Sequence, residues 1–496
     1  MKVRILLFLF LLATIISYAQ DEKSKKLSLF VDRVLAAAPP VPGVSIVVVN
    51  TDSIVFAKGF GWADVENSVK ATAETGFYIA STTKPFVAFL AATLADKGKI
   101  DLQRPISDYA PFKNFSDKSL FKNITIHDLL THQSGGDNDF LSIKLAYSGD
   151  YDQKMILDLV EKHTVANEKG RAFEYTNFGY YLFSILLKEE LGLDWRDLLR
   201  DMIFEPLDMK NTTSYISVAE RKDLAMPYNG ILSDTPQRAY LMKTDDTMHA
   251  AGGIISSAND MGKWLMFQMN MGKVGNTQLY SREVLQMTQL QKIANMHKFS
   301  PVFEGNGYAL GWRTGTYKDT PLIYHFGGYT GFFAHLSFLP EKKLAVAVFV
   351  NHELGSVPGN LIAEYAYDLY LGNTSALKGH EKYADVTLPK LVEKNRNAEI
   401  KSRAHFAKRA WQLTLPKSSY AGSYFNPELG TVLVKSENDE LTLTFGNMKS
   451  IATAIELPDV IRVELIPGDG MAIRFVLKDH QVQELRYNGI SFIKKQ

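Results

Sequence analysis

Hydrophobic and polar positions divide the chain into stretches with different periods. Leu27 to Ala38 carries apolar residues at helical spacing and stops at Pro39-Pro40. Two short β-type runs follow, Gly43 to Val49 (GVSIVVV) and Ser53 to Gly59 (SIVFAKG). Asn50-Thr-Asp52 between them reads as a turn. The long middle is mostly helical in pattern, as in Pro85 to Lys97, Ile126 to Thr131, Tyr180 to Leu191 and Asp260 to Met271. Strands return late. Ala334 to Leu339 and Leu344 to Val350 flank Pro340-Glu-Lys-Lys343, a hairpin turn, and a helix from Val357 to Leu371 follows. Strands at both ends with helices between predict one antiparallel sheet built from the two ends, plus a helical insertion, rather than strand–helix–strand alternation.

The texture then changes. Residues 373–416 are polar and charged, and they read as a helical linker. From 417 to 496 the pattern alternates in strand fashion, as in "GTVLVKSENDELTLTFG" and "VIRVELI", with turns at Asn438-Asp439 and Gly468-Asp469-Gly470. This predicts a small all-β sandwich or barrel.

The first residues follow another logic. Lys2 and Arg4 precede the apolar run Ile5 to Ile16, and Ser17-Tyr18-Ala19 offers small residues for cleavage. Residues 1–19 therefore read as a signal peptide and the protein as exported, periplasmic or secreted. The run is shorter than the roughly 20 apolar residues that a membrane span needs. A polar, irregular segment is expected from Gln20 to Lys26. No transmembrane segment is expected in the mature chain.

Composition narrows the chemistry. At 496 residues the chain is long enough for two or three units. A net charge of +1 without a basic block argues against a nucleic-acid partner. Without cysteine there is no disulfide, zinc-thiolate site or cysteine nucleophile. His127 and His132 in "ITIHDLLTHQSG" lack further metal ligands, so no metal is expected. His127 reads as a surface residue and His132 as a hydrogen-bonding structural one.

The candidate chemistry lies in "FYIASTTKPF" (77–86). Ser81 and Lys84 are three apart, so they share a face where a helix begins. Pro85 fits only the first turn. The partial positive charge of a helix start favours an alkoxide and disfavours an ammonium. A buried lysine there can lose its proton and serve as the base that a serine nucleophile needs.

In this setting "STTKPF" resembles the first motif of the serine beta-lactamase and penicillin-binding protein superfamily. The similarity is to the branch of class C beta-lactamases, D-alanyl-D-alanine carboxypeptidases, D-aminopeptidases and esterases. Further blocks follow in the branch's order: "GKIDLQRPISDYAP" (98–111), "ITIHDLLTHQSG" (124–135), "FEYTNFGYYLFSILLKE" (173–189), "IFEPLDMKNTT" (203–213), "AAGGIISSANDMGKW" (250–264) and "YHFGGYTGFF" (324–333). The resemblance implies an α/β (α+β) fold of the beta-lactamase/transpeptidase type over residues 20–372, with an antiparallel sheet flanked by helices and a helical subdomain. The β unit at 417–496 resembles the lipocalin-like domains appended to some members, and reads as a lid, an oligomer contact or a stabilising appendage.

The resemblance also implies site roles. Ser81 is the nucleophile, with Lys84 and Tyr175 of the Tyr175-Thr176-Asn177 motif handling the proton. Tyr175 would act as a phenolate or as a relay. Asn177 would hydrogen-bond both lysine and substrate. The third motif, normally Lys-Thr-Gly, reads His325-Phe326-Gly327, then Gly328. A protonated His325 could bias Tyr175 or a substrate carboxylate. Phe326 removes a carboxylate-binding hydroxyl, while Gly327 and Gly328 let substrate approach the strand. The N–H groups of Gly328 and Ser81 would form the oxyanion hole. The expectation is a cofactor-free serine hydrolase acting on an ester, amide or peptide, including D-amino-acid peptides. The alternative is a sensor that acylates without turnover, and a true beta-lactamase ranks lower.

Overall fold

The structure, a computed structural model, describes residues 2–168, 170–220, 223–300 and 302–495, and side chains from residue 20 onward. The leader read over residues 1–19 lies outside the residues whose side chains are described. Among the described residues no helix is long and apolar enough to cross a membrane.

The first helix, α1, spans Lys2–Ala37. It includes the polar segment Gln20 to Lys26. An Asp21–Lys25 ion pair one turn apart and a Lys23 hydrogen bond to the Tyr370 carbonyl hold that polar stretch helical.

A nine-stranded antiparallel sheet forms the centre. Its strands are β1 (Gly43–Asn50), β2 (Ile54–Asp64), β3 (Val69–Lys70), β4 (Ile293–Lys298), β5 (Phe303–Tyr308), β6 (Arg313–Tyr317), β7 (Thr320–Tyr329), β8 (Phe332–Leu339) and β9 (Leu344–Val350). The order is β4-β5-β6-β7-β8-β9-β1-β2-β3. The two ends of the segment thus meet: β1 pairs with β9, Val47 opposite Ala347.

β1 reads as a continuous apolar run because both of its faces are covered. Val44, Ile46 and Val48 face one core with α1 residues Leu27 and Val31 and with α5 (Ser356–Leu371), whereas Val47 and Val49 face another. That second core holds α2 (Lys84–Asp96), α3 (Phe178–Leu191) and α4 (Ala258–Met269). α4 starts two residues earlier than its periodicity suggests because Ser257 caps it, accepting from Asp260 N. A side chain at Gly262 would stand 3.0 Å from Val47, so glycine lets α4 close on β1.

Residues 374–407 are almost continuously helical. They do more than connect, since Leu377, Ala384 and Leu388 join the core under α1 and α5. The C-terminal sheet has nine antiparallel strands. Gly422–Asn426 pairs with Gly430–Glu437 on one side and with the last strand, Ile490–Lys494, on the other. The sheet curls until Met448–Ile451 lies beside Val460–Ile466, a nearly closed barrel. Phe140, Ile143, Leu159 and Leu241 of the N-terminal unit are part of its core. Across this seat Asn447 N donates to Ser148 O at 2.8 Å, and Lys162 meets Glu428 at 3.0 Å.

Candidate active site

Ser81 lies in a 3₁₀ turn, Ala80–Thr83, which runs directly into α2. Ala80 sits at φ +47°, a left-handed conformation that costs a non-glycine residue about 1–3 kcal/mol. It turns the chain sharply out of the extended Phe77–Tyr78 segment, and the next residue is the half-buried Ser81. Thr82 and Thr83 pin the turn: Thr82 Oγ1 donates to Ile79 O, and Thr83 Oγ1 accepts from Ile254 N.

Lys84 is the first residue of α2 and is fully buried. Its Nζ stands 3.0 Å from Ser81 Oγ, 2.8 Å from Asn177 Oδ1 and 2.9 Å from Ala251 O. Among the described residues no carboxylate pairs with it. Burial, and secondarily the Arg313 charge, push its pKa well below the usual lysine value. A neutral amine there can donate to Asn177 and Ala251 and turn its lone pair to the Ser81 hydroxyl. Three acceptors at these distances therefore suit a base as well as an ammonium.

Tyr175 completes the group. Its hydroxyl lies beside Ser81 and Arg313, and its ring lies 4.9 Å from Lys84 Nζ. Burial raises its pKa, and the neighbouring Ser81 and Arg313 only partly offset this. It thus enters the site as the phenol, which fits a relay better than a phenolate.

His132 holds the segment carrying Tyr175. Glu174 N donates to His132 O at 3.0 Å, Thr176 N to His132 Nδ1 at 3.3 Å, and the His132 ring packs 4.4 Å from Tyr175. This is the structural role read for it. His127, read as a surface residue, is half-buried, because its N–H is tied to Leu102 O.

The third motif lies on β7. A Cβ at Gly327 would come 2.1 Å from Ile79 O, so only glycine lets β7 approach the Ser81 turn this closely. A Cβ at Gly328 would meet nothing within 4 Å, so that face of the strand is open. His325 does not supply the protonated group that could bias Tyr175. It is buried, its Nδ1 bonds Phe326 O at 2.8 Å, and its ring stays 6.0 Å from that of Tyr175. Burial first, then Arg313 and Lys84, push its pKa far down, so it is neutral.

The cation beside Tyr175 is Arg313, which sequence reasoning missed. Its guanidinium lies 4.7 Å from the Tyr175 ring, and no described carboxylate pairs with it. It sits in an unremarkable "GWRTG". Only the register of β6 on β7, with Arg313 opposite Tyr324, brings it beside the third motif.

Comparison with known proteins fits this geometry. The chain is 25% identical over 350 residues to protein flp of Staphylococcus aureus (strain MW2), covering 70% of this chain and 65% of flp. It thus spans slightly less than two thirds of that relative. It is also 25% identical over 443 residues to the unguisins hydrolase ungD' of Aspergillus campestris, covering 84% and 78% of the two chains. The octameric penicillin-binding protein homologue from Pyrococcus abyssi superposes with a TM-score of 0.60 at 25% identity, over 95% of this chain and 99% of that one. D-amino acid amidase from Ochrobactrum anthropi SV3 shares the fold, with a TM-score of 0.58 at 22% identity over 70% and 99%. The family model for beta-lactamase matches residues 31–370, which include every residue of the site, and the chain belongs to the beta-lactamase family.

Proposed function

We propose that the protein is an exported serine hydrolase that cleaves an ester, amide or peptide bond through an acyl-enzyme on Ser81. The observation that carries this is Lys84: fully buried, without a carboxylate, 3.0 Å from Ser81 Oγ. In this reading Lys84 takes the hydroxyl proton as Ser81 Oγ attacks the carbonyl carbon. The N–H groups of Ser81 and Gly328 receive the negative charge that develops on the carbonyl oxygen. Tyr175, beside Ser81, gives its proton to the leaving group as the bond to it breaks and takes one from the Lys84 ammonium. Water then attacks the acyl carbon by the same route in reverse and frees Ser81. Asn177 holds Lys84 and offers its amide to substrate.

Relatives that hydrolyse unguisins or amino acid amides support amide and peptide substrates, D-amino-acid peptides included. The neutral His325 and the apolar Phe326 place beta-lactam turnover lower. Export rests on the leader-like sequence at residues 1–19. The octameric Pyrococcus homologue supports self-association, for which the β-barrel is our candidate contact.

The test is a time course with p-nitrophenyl acetate, with intact-protein mass spectrometry on the same samples. Wild type is expected to turn over with a transient acetyl adduct, and Ser81→Ala to lose about 10⁴-fold or more. Unchanged turnover in Ser81→Ala would refute the proposal. A stable adduct without turnover would favour the acylated sensor.

A further inference from the structure

Burial discharges the imidazoles around Ser81. His325 and His132 are both buried, and burial first, with the Arg313 and Lys84 charges adding to it, pushes each far below the usual histidine value. The first position of the third motif therefore brings no charge here. Arg313 does. A guanidinium stays charged in surroundings that discharge an imidazole.

The fold fixes where that charge stands. β6 runs between β5 and β7, and Arg313 is paired with Tyr308 on one side and Tyr324 on the other. Both ladders hold its backbone, and its side chain is half-buried. The guanidinium lies 4.7 Å from the centre of the Tyr175 ring and 5.9 Å from that of Tyr308. Among the described residues no carboxylate pairs with it, so its charge is not spent on an ion pair.

The mechanism above asks a demanding step of Tyr175. Once its proton has gone to the leaving group, it is a phenolate until the Lys84 ammonium gives it another. An anion in so buried a place is costly unless a charge compensates it. Burial works against this acid, and Arg313 is the charge that works for it. The same guanidinium, after burial, disfavours an ammonium on Lys84. It thus keeps Lys84 free to take the Ser81 proton and then favours passing that proton on to Tyr175. Because Arg313 is in place before the proton moves, no reorganisation is needed at that moment. The other ionisable groups facing Tyr175 and Lys84 are Tyr180, Tyr308, His132, His249 and His325. Burial keeps all five neutral, so none can take this part.

We propose that Arg313 is a positioning residue that acts through Tyr175: its fixed charge stabilises the transient phenolate and so lets the site expel poor leaving groups, the alkoxides and amines of ordinary esters, amides and peptides. This rests on the hydrolase reading of Ser81 and sharpens its substrate class.

The test compares p-nitrophenyl acetate with phenyl acetate on the full-length protein. Both esters give the same acyl-enzyme. p-Nitrophenolate leaves without help, whereas phenolate gains from a proton. In Arg313→Gln, kcat/KM for phenyl acetate is expected to fall about tenfold or more beyond any fall for p-nitrophenyl acetate. Arg313→Lys, which keeps a charge at this half-buried position, should recover most of that ratio. The ratio within one sample does not depend on the folded fraction, so a destabilised variant still gives a reading. In Arg313→Gln the rising limb of the pH–rate profile should also move to higher pH, because nothing then opposes the Lys84 ammonium but burial. An equal fall for both esters, or no fall for either, would overturn the proposal, as would a limb that stays in place. Ser81→Ala separates the two readings. Turnover that survives in it overturns both, whereas turnover lost in it, with equal falls in Arg313→Gln, overturns only the part given to Arg313.

Discussion

The C-terminal barrel and the surroundings of Ser81 differ in how their buried polar groups are partnered. In the C-terminal barrel the buried tyrosines are partnered: Tyr424 Oη donates to Tyr420 O at 2.6 Å, Tyr420 bonds Asp459, and Tyr487 Oη meets Met471 Sδ at 3.3 Å. Among the described residues every buried side-chain atom left without a partner belongs to the N-terminal unit, and His132 Nε2, His249 Nδ1 and Tyr329 Oη lie around the Ser81 site. The buried lysines divide in the same way. Lys144, beneath the barrel, has Asp150 and the Phe445 ring at 4.2 Å, whereas Lys84 and Lys243 have no counter-ion among the described residues. Complete pairing gives stability, and incomplete pairing keeps charge and hydrogen bonds available for a ligand.

If that contrast is functional, substitutions on its two sides must have different readouts. The largest effect is expected at Lys84. Lys84→Met should lower kcat by about 10²–10⁴-fold with little loss of stability. Only the neutral amine can accept the Ser81 proton, so wild-type activity should rise with pH through the lowered Lys84 pKa. That limb should vanish from the pH–rate profile of the variant. Retained turnover would mean that the base lies elsewhere.

Gly327→Ala comes next. Its Cβ would force β7 away from Ile79 O, and a displacement near 1 Å can cost about 10²-fold in rate. Thermal melting should show a parallel loss of about 1–3 kcal/mol from overpacking. Gly328→Ala, which meets nothing within 4 Å, should melt like wild type.

The smallest effect on activity is expected at Lys144. Lys144→Met leaves Asp150 unpaired, but that carboxylate is 35% exposed. The cost to stability is therefore about 1–2 kcal/mol, below that of breaking a fully buried pair. Urea melts should show it, while turnover per folded molecule stays at the wild-type level. A Lys144→Met variant that folds fully yet loses turnover would break the contrast.

Local signals in the sequence carried much of this. The spacing of Ser81, Lys84 and Pro85 specified one face of a helix start, and the apolar run of β1 specified a strand. The turn at 340–343 specified a hairpin, and its strands pair in register from Phe333–Val350 to Leu339–Leu344. What stayed hidden depends on contacts between distant residues. Arg313 reaches Tyr175 only through strand register, and His132 clamps a segment more than forty residues away. Lys243 is held by Ala146 O, Thr247 O and the Tyr329 ring, which no single window of sequence contains. The 373–416 stretch looked like a connector because its few apolar residues are spaced along polar helices, yet those few reach the core.

The pairing of β1 with β9 also sets a timetable. Residues 43–50 leave the ribosome about 300 residues ahead of their partner at 344–350. At roughly 5–20 residues per second, that is a wait of about 15–60 s. For that interval an uninterrupted valine-rich strand has β2 on one edge and nothing native on the other. The barrel lengthens the schedule, since Phe140, Ile143, Leu159 and Leu241 find their shared core only when residues 417–496 are made. The sheet and the shared core of this protein therefore close only long after β1 is made, and the newly made chain must be kept from aggregating until then.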